Sequence, residues 1–271
     1  MRQLGKLCRF ELALARRSRM VVLFSIGFAL GTGVLALTGL SSGGVVAVQG
    51  FARTTMSLMQ LVLWIIPLVG LLIGATIGAE SLELEFQVSL PAARAEILAA
   101  RWLVWVFVLG GAITIGLALS GLLMSATAVA GDEWRYLRLI GVSNILLAAT
   151  LSIGLLLGLL ARSRIRAMAF AITGWIVMVV GFDLIAIGAL AILPRGQAGW
   201  PLTTVLMLNP ADAARSLAIG LLQADVVSGP TGAALRKVLG GWGLWMLALS
   251  LLGWTAFPLY AGARRFRRLD L

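Results

Sequence analysis

Acidic side chains are scarce in this 271-residue chain, and they are unevenly placed. Four of the eleven, Glu80, Glu83, Glu85 and Glu96, fall between Ala79 and Trp102, together with Pro91, Arg94 and Arg101. Glu80 and Glu83 are one helical turn apart and share a face. Leu82, Leu84, Phe86, Val88 and Leu90 make the same stretch apolar enough to pack on another surface, and Pro91 separates it from a second helix start. Long apolar runs flank it on both sides. These residues suit contact with a soluble partner, and Glu80, Glu83, Glu85, Phe86, Pro91 and Arg94 are the candidates for it.

Other chemistry is thinly represented. The chain has no histidine and one cysteine, Cys8. That rules out an intrachain disulfide framework and removes the parts of most zinc, copper, haem and Ser-His or Cys-His sites. Met56 and Met59 form an MxxM pair that could suit a soft metal, but ordinary apolar packing is the better reading of them. No metal site is expected. No GxxxxGK[ST] occurs, so any ATP must be held by another subunit. Asp183 lies inside an apolar run, where an aspartate costs roughly 2.5–3.5 kcal/mol at mid-membrane and must face the bundle or water. It reads as a cavity or gating residue, as one end of an interhelical hydrogen bond, or as an aspartate near the outer interface.

The elements that position these residues are membrane spans. The chain is 60% hydrophobic and 12% charged, with a mean hydropathy of +1.00. Its apolar runs are continuous rather than alternating, which selects helices over a β-barrel. Six spans are expected, near Met20–Leu40, Met56–Gly78, Ile97–Ser120, Leu139–Leu160, Ala167–Leu193 and Gly241–Ala263. With both termini inside, fifteen of the 22 Lys and Arg residues fall on the inner side and seven on the outer. This sets an N-in, C-in orientation and accounts for the +11 charge without nucleic acid. Trp134, Tyr136, Trp200, Trp242 and Trp245 form the expected outer aromatic belt, and Trp102, Trp105 and Tyr260 the inner one.

The whole chain, 1–271, reads as one transmembrane domain with three appendages. Residues 1–19 form a basic amphipathic helix with Leu4, Leu7, Cys8, Leu12, Leu14 and Ala15 on its apolar face, expected at the membrane surface. Residues 79–101 are the charged inner segment. Residues 194–240 form an outer loop with short helices, in which Asn209 is a natural N-cap, Pro210 suits the first helical position and Asp212 the first turn. The helix that follows is too short to span and is expected on or in the outer leaflet. Gly70, Gly74 and Gly78 on the second span, Gly27 and Gly31 on the first, and Gly154 and Gly158 on the fourth are spaced for close helix approach. Packing within one bundle is the simpler use of each.

This order of elements resembles the ABC-2-type transporter permeases, above all the NosY-like permeases grouped with nitrous oxide reductase and multicopper-enzyme maturation. The resemblance covers nearly the whole chain. It is carried by Pro91, Arg94, Ile97-Leu98 and Arg101-Trp102, by GFDLI around Asp183, and by LNPADAARSL from Leu208 to Leu217. Leu82 and Glu83 stand where family members often have Gly-Thr.

The resemblance implies an all-α permease fold like that of type V exporters, with six transmembrane helices, an elbow helix at Arg2–Arg17 and a coupling helix at about Glu80–Leu90. It further implies a homodimer in the bacterial inner membrane with two ABC ATPase subunits that bind ATP and Mg, and an extracytoplasmic partner reached through Asn209, Pro210, Asp212 and Arg215. The chain itself would hold no cofactor and would not be an enzyme. An ABC-2 exporter of a lipid-like molecule or drug, and a non-transporting assembly subunit, are the alternatives.

Overall fold

The structure, a computed structural model, describes residues 2–41, 47–83, 94–125, 133–161, 163–192, 199–222 and 242–267. Its helices are α1 Arg2–Arg17, α2 Arg19–Ser41, α3 Ala47–Glu83, α4 Arg94–Ser125, α5 Glu133–Ala161, α6 Arg164–Ile176, α7 Phe182–Ile192, α8 Gly199–Leu208, α9 Pro210–Leu222 and α10 Gly243–Arg267. A π-helical turn, Val177–Gly181, joins α6 to α7 without a break. Among the described residues, six helical stretches are long and apolar enough to cross a membrane: 19–38, 54–80, 95–125, 136–161, 164–185 and 243–266. These are the six spans expected from the sequence, with shifted ends.

Burial divides the spans into two groups. The α3 and α5 spans are buried for most of their length, while the other four expose broad apolar faces. Leu23 on α2, Phe107 on α4, Ile165 on α6 and Phe257 on α10 lie in the open, as lipid-facing side chains do. Hydrocarbon supplies no hydrophobic drive for helix association, so the centre must be held by close backbone packing.

Glycine provides that packing between α3 and α5. A Cβ on Gly74 would meet the Leu151 carbonyl oxygen and come within 2.8 Å of the Leu155 amide nitrogen. One on Gly78 would strike the Leu155 carbonyl and reach the Gly158 Cα at 3.0 Å. Gly154 and Gly158 mirror this against Leu71 and Ala75. The glycine rows of the second and fourth spans therefore interlock with each other inside one chain. Among the described residues the GxxxG of the first span does not work this way: a Cβ on Gly27 would meet nothing within 4 Å, and one on Gly31 would meet the Leu61 side chain at 3.6 Å.

Polar side chains tie further helices to this core. Thr32 of α2 donates to the Gly116 carbonyl of α4 at 3.1 Å. Tyr136 of α5 donates to the Leu117 carbonyl at 2.8 Å. It is buried, so it belongs to the helix packing and not to the aromatic belt expected from its position. Trp175 of α6 donates to the Trp64 carbonyl of α3 at 3.0 Å, and the two indoles pack edge to face at 6.1 Å. Met59 is buried in the core and Met56 packs beside it, so the MxxM pair serves apolar packing.

Contacts between Glu11 and Arg101, Glu80 and Arg164, and Phe266 and Leu98 bring α1 and the adjoining ends of α3, α4, α6 and α10 together. The helical elements nearest both termini thus lie at one end of the bundle. The segment 84–93, with Glu85, Phe86 and Pro91, lies outside the described residues.

Candidate functional site

Among the described residues, the ion pairs gather at the two ends of the bundle, while polar side chains between them, such as Thr150, Ser152 and the Asn144–Thr114 pair, hydrogen-bond within or between helices. At the terminal end, α1 offers Leu7, Cys8, Leu12 and the buried Ala15 to the bundle, with Glu11 between them. Leu14, expected on the apolar face, is instead about half exposed. Glu11 accepts from Arg101 Nε of α4 at 2.7 Å, and Arg101 Nη1 also reaches the Ile77 carbonyl of α3 at 3.5 Å. Both charged side chains are almost completely buried. One ion pair thus pins the amphipathic helix to the third span and to the end of the second. Sequence reasoning placed Arg101 in the motif but missed Glu11. The available signal was that Glu11 is the single acid in an otherwise basic helix.

Glu80 and Glu83 fall in the last turn of α3, so the span helix continues through them. Glu80 pairs with Arg164 at the start of α6 at 3.4 Å, and both side chains are about half exposed. Arg94 opens α4, with Glu96 in its first turn, where a negative charge suits the helix dipole. Ser163 caps α6 by accepting from the Arg166 amide at 3.4 Å. The terminal end therefore presents the last turn of α3 beside the starts of α4 and α6.

At the other end, the sequence elements read separately as Asp183 and LNPADAARSL converge. Asn209 Oδ1 accepts from the Ala211 amide at 3.1 Å and caps α9 as its position predicts. Its Nδ2 donates to Asp212 Oδ2 at 2.6 Å and to the Met178 carbonyl at 2.7 Å. Met178 lies in the π turn, where the widened coil breaks the ordinary α hydrogen-bond register. Arg215 Nη1 bridges Asp183 Oδ1 at 3.1 Å and Asp212 Oδ1 at 3.3 Å. Arg138 of α5 closes the other end of α9 by donating to the Leu221 carbonyl at 2.7 Å.

One sequence expectation changes here. The α9 helix buries Ala213, Ala214, Leu217 and Ala218 in the main core, packed mainly against α5 and α10, so it is a bundle element and not a helix resting on lipid. Asn209, Pro210 and Asp212 are buried inside the chain, and Arg215 is held by two aspartates. These are the four residues expected to meet an outer partner, and in the single chain the first three lie buried. Asp183 is one end of an interhelical ion pair. Burial raises the Asp212 carboxyl above the usual carboxylate range, opposed by Arg215 and the Asn209 hydrogen bond and assisted by Asp183.

No group of three or more His, Cys, Asp or Glu side chains able to hold a metal occurs among the described residues. The arrangement comprises a charged end built from several helix termini, a glycine-packed pair through the middle, and a hydrogen-bonded polar cluster at the far end.

This is the build of a multi-pass helical membrane protein. The chain belongs to the ABC-2 family transporter proteins, matching that family over residues 6–271. It is similar over nearly its whole length to proteins named "Probable ABC transporter permease protein NosY". The one from Stutzerimonas stutzeri is 27% identical over 286 aligned residues, covering 98% of this chain and 99% of that protein. The one from Pseudomonas aeruginosa is 28% identical over 269 residues, covering 96% and 97%. The chain is thus an ABC-2, NosY-like permease in family and sequence.

Proposed function

We propose that the chain is the permease subunit of an ATP-binding cassette transporter driven by separate ATPase subunits. It would act as a homodimer in the bacterial inner membrane, with both termini in the cytoplasm, in the maturation of a copper enzyme such as nitrous oxide reductase. The full-length similarity to two NosY permeases carries this reading. The concentration of Lys and Arg at the terminal end supports the orientation. ATP and Mg would be bound by the ATPase, with no cofactor in this chain, and an extracytoplasmic partner would take up the motion on the other side.

The architecture supports transmission from one end to the other. The residues that join α3 to α4 would receive the ATPase, with Glu80, Glu83, Glu85, Phe86, Pro91 and Arg94 as the coupling set. A push there reaches α3, whose glycine seam with α5 makes the two move together. The α9 helix packs on α5, and Asn209 and Arg215 hold it to the π turn and Asp183. A displacement of α3 and α5 would therefore bear on the far-end cluster, a rigid-body mechanism of the kind used by switching assemblies.

Two experiments test this. Glu83→Lys, co-expressed with the ATPase, should leave the permease in the membrane while abolishing permease-dependent stimulation of ATP hydrolysis. Unchanged co-purification and stimulation would remove the coupling assignment. Deleting the gene in a denitrifying host should yield nitrous oxide reductase deficient in copper, and full copper content would discard the maturation role.

A further inference from the structure

A cleft of about 260 Å³ opens at the terminal end of the bundle between α1, α2, α3, α4 and α6. Its polar lining is Glu11, Arg101, Glu80, Arg164, Ser18 and Thr76, and its apolar lining includes Leu14, Met20 and Trp105. The two charged pairs differ in availability. Glu11 and Arg101 are buried and joined at 2.7 Å, so they form a fixed, neutral floor. Glu80 and Arg164 are about half exposed and meet through one long contact of 3.4 Å, so both can take a new partner at small cost.

Its level in the membrane is set by the helices that form it. The spans begin or end at Arg19, Glu80, Ala95 and Arg164. The cleft therefore sits where phospholipid headgroups lie, with one acid and one guanidinium side by side. Leu14 and Met20 are each nearly half exposed beside it, apolar surface on which the start of an acyl chain can rest.

We propose that this cleft binds the headgroup of a phospholipid carrying a primary ammonium and a phosphodiester, as in phosphatidylethanolamine. Arg164 donates to the phosphate and Glu80 accepts from the ammonium, which takes Glu80 out of the coupling set and leaves contact with the ATPase to the residues beyond it. The neutral floor favours a ligand without net charge over an anionic one. A quaternary ammonium fits less well, because it has no N–H to give Glu80. The site would fasten the amphipathic helix and the start of α6 to one leaflet, independently of what the transporter moves.

The test uses the full-length chain, with its ATPase subunit where the two co-purify. The protein is exchanged into micelles with equimolar phosphatidylethanolamine, phosphatidylcholine and phosphatidylglycerol of identical acyl chains. Retained lipid is counted by native mass spectrometry. The wild type should keep phosphatidylethanolamine over the other two by on the order of tenfold, as expected for one charge-assisted hydrogen bond. Glu80→Gln should erase the preference for the primary amine, and Arg164→Gln should lose retention of all three lipids. Phosphatidylethanolamine should raise the melting temperature of the wild type and not that of Arg164→Gln.

Equal retention of the three lipids by the wild type, or variants that behave like it, would overturn the proposal. Binding of water-soluble glycerophosphoethanolamine as tightly as the whole lipid would assign the cleft to a free headgroup compound instead. If the variants shed the ATPase subunit while keeping their lipid, the pair belongs to that partner and the lipid assignment fails.

Discussion

Arg101 Nε lies 2.7 Å from Glu11 Oε1, and the two side chains are only 5% and 6% exposed. This joins the first helix of the chain to the third span across a separation of 90 residues. Removing one partner leaves a buried charge without its counter-ion, which typically costs about 3–5 kcal/mol. Glu11→Leu and Arg101→Met should each lower the melting temperature in detergent sharply, and the double variant should recover most of the loss. Additive losses in the double variant would mean that the two residues act separately. Arg164→Gln is the contrast, because its half-exposed pair with Glu80 is worth only about 0–1 kcal/mol.

The glycine seam makes a second, position-specific prediction. Gly74→Ala drives a methyl group against the backbone of α5, where no flexible side chain can yield. The overpacking penalty is about 1–3 kcal/mol. Gly111 has open space around it, so Gly111→Ala should be neutral or stabilise by up to ~1 kcal/mol through helix propensity. Thermal denaturation of the two variants in the same detergent checks the pair.

Asn209 works twice, as the cap of α9 and as the donor to the π turn. Asn209→Ala loses both, at about 1–3 kcal/mol. Asn209→Asp keeps an acceptor for the cap but cannot donate to the Met178 carbonyl, and it sets a second carboxylate beside Asp212. It should be no more stable than the alanine variant. Hydrogen exchange at residues 177–185 should accelerate in both variants, which a loss of capping alone would not produce.

Asp212 gives the far end a pH signature. Its carboxyl is raised by burial, so between the ordinary carboxylate value and the raised one the folded protein holds more proton than the unfolded chain. Its contribution to stability is therefore full below the ordinary value and falls as pH rises through the raised one. The stability difference between wild type and Asp212→Asn should decline across that window and be flat above it. A difference that grew with pH would reverse the assignment. The charged groups facing it are Arg215 and Asp183, so both must be intact for the comparison.

How much of this was legible depended on range. The six spans follow from apolar runs long enough to leave no alternative, and the Asn209-Pro210 cap follows from two adjacent residues with matching backbone preferences. The glycine rows were readable as surfaces for close approach. Which row meets which is a matter of tertiary pairing, and the row on α2 meets none. Glu11 is not legible as half of an ion pair, because a lone acid on a basic helix looks solvated and its partner is 90 residues away. Asp183 and Arg215 were both noted, but nothing local shows that a helix from the outer loop folds back to join them.

The π turn at Val177–Gly181 has a consequence for anyone tracing the fifth span on a helical wheel. A π turn accommodates one more residue than an α turn, so every later side chain is offset by one position, or ~100° around the axis. A wheel drawn from Arg164 therefore assigns Asp183 to the wrong side. Phase is kept separately on either side of the turn, and the span should be aligned with its relatives as two half-helices. A one-residue gap between them is then a change of azimuth and not a shortening.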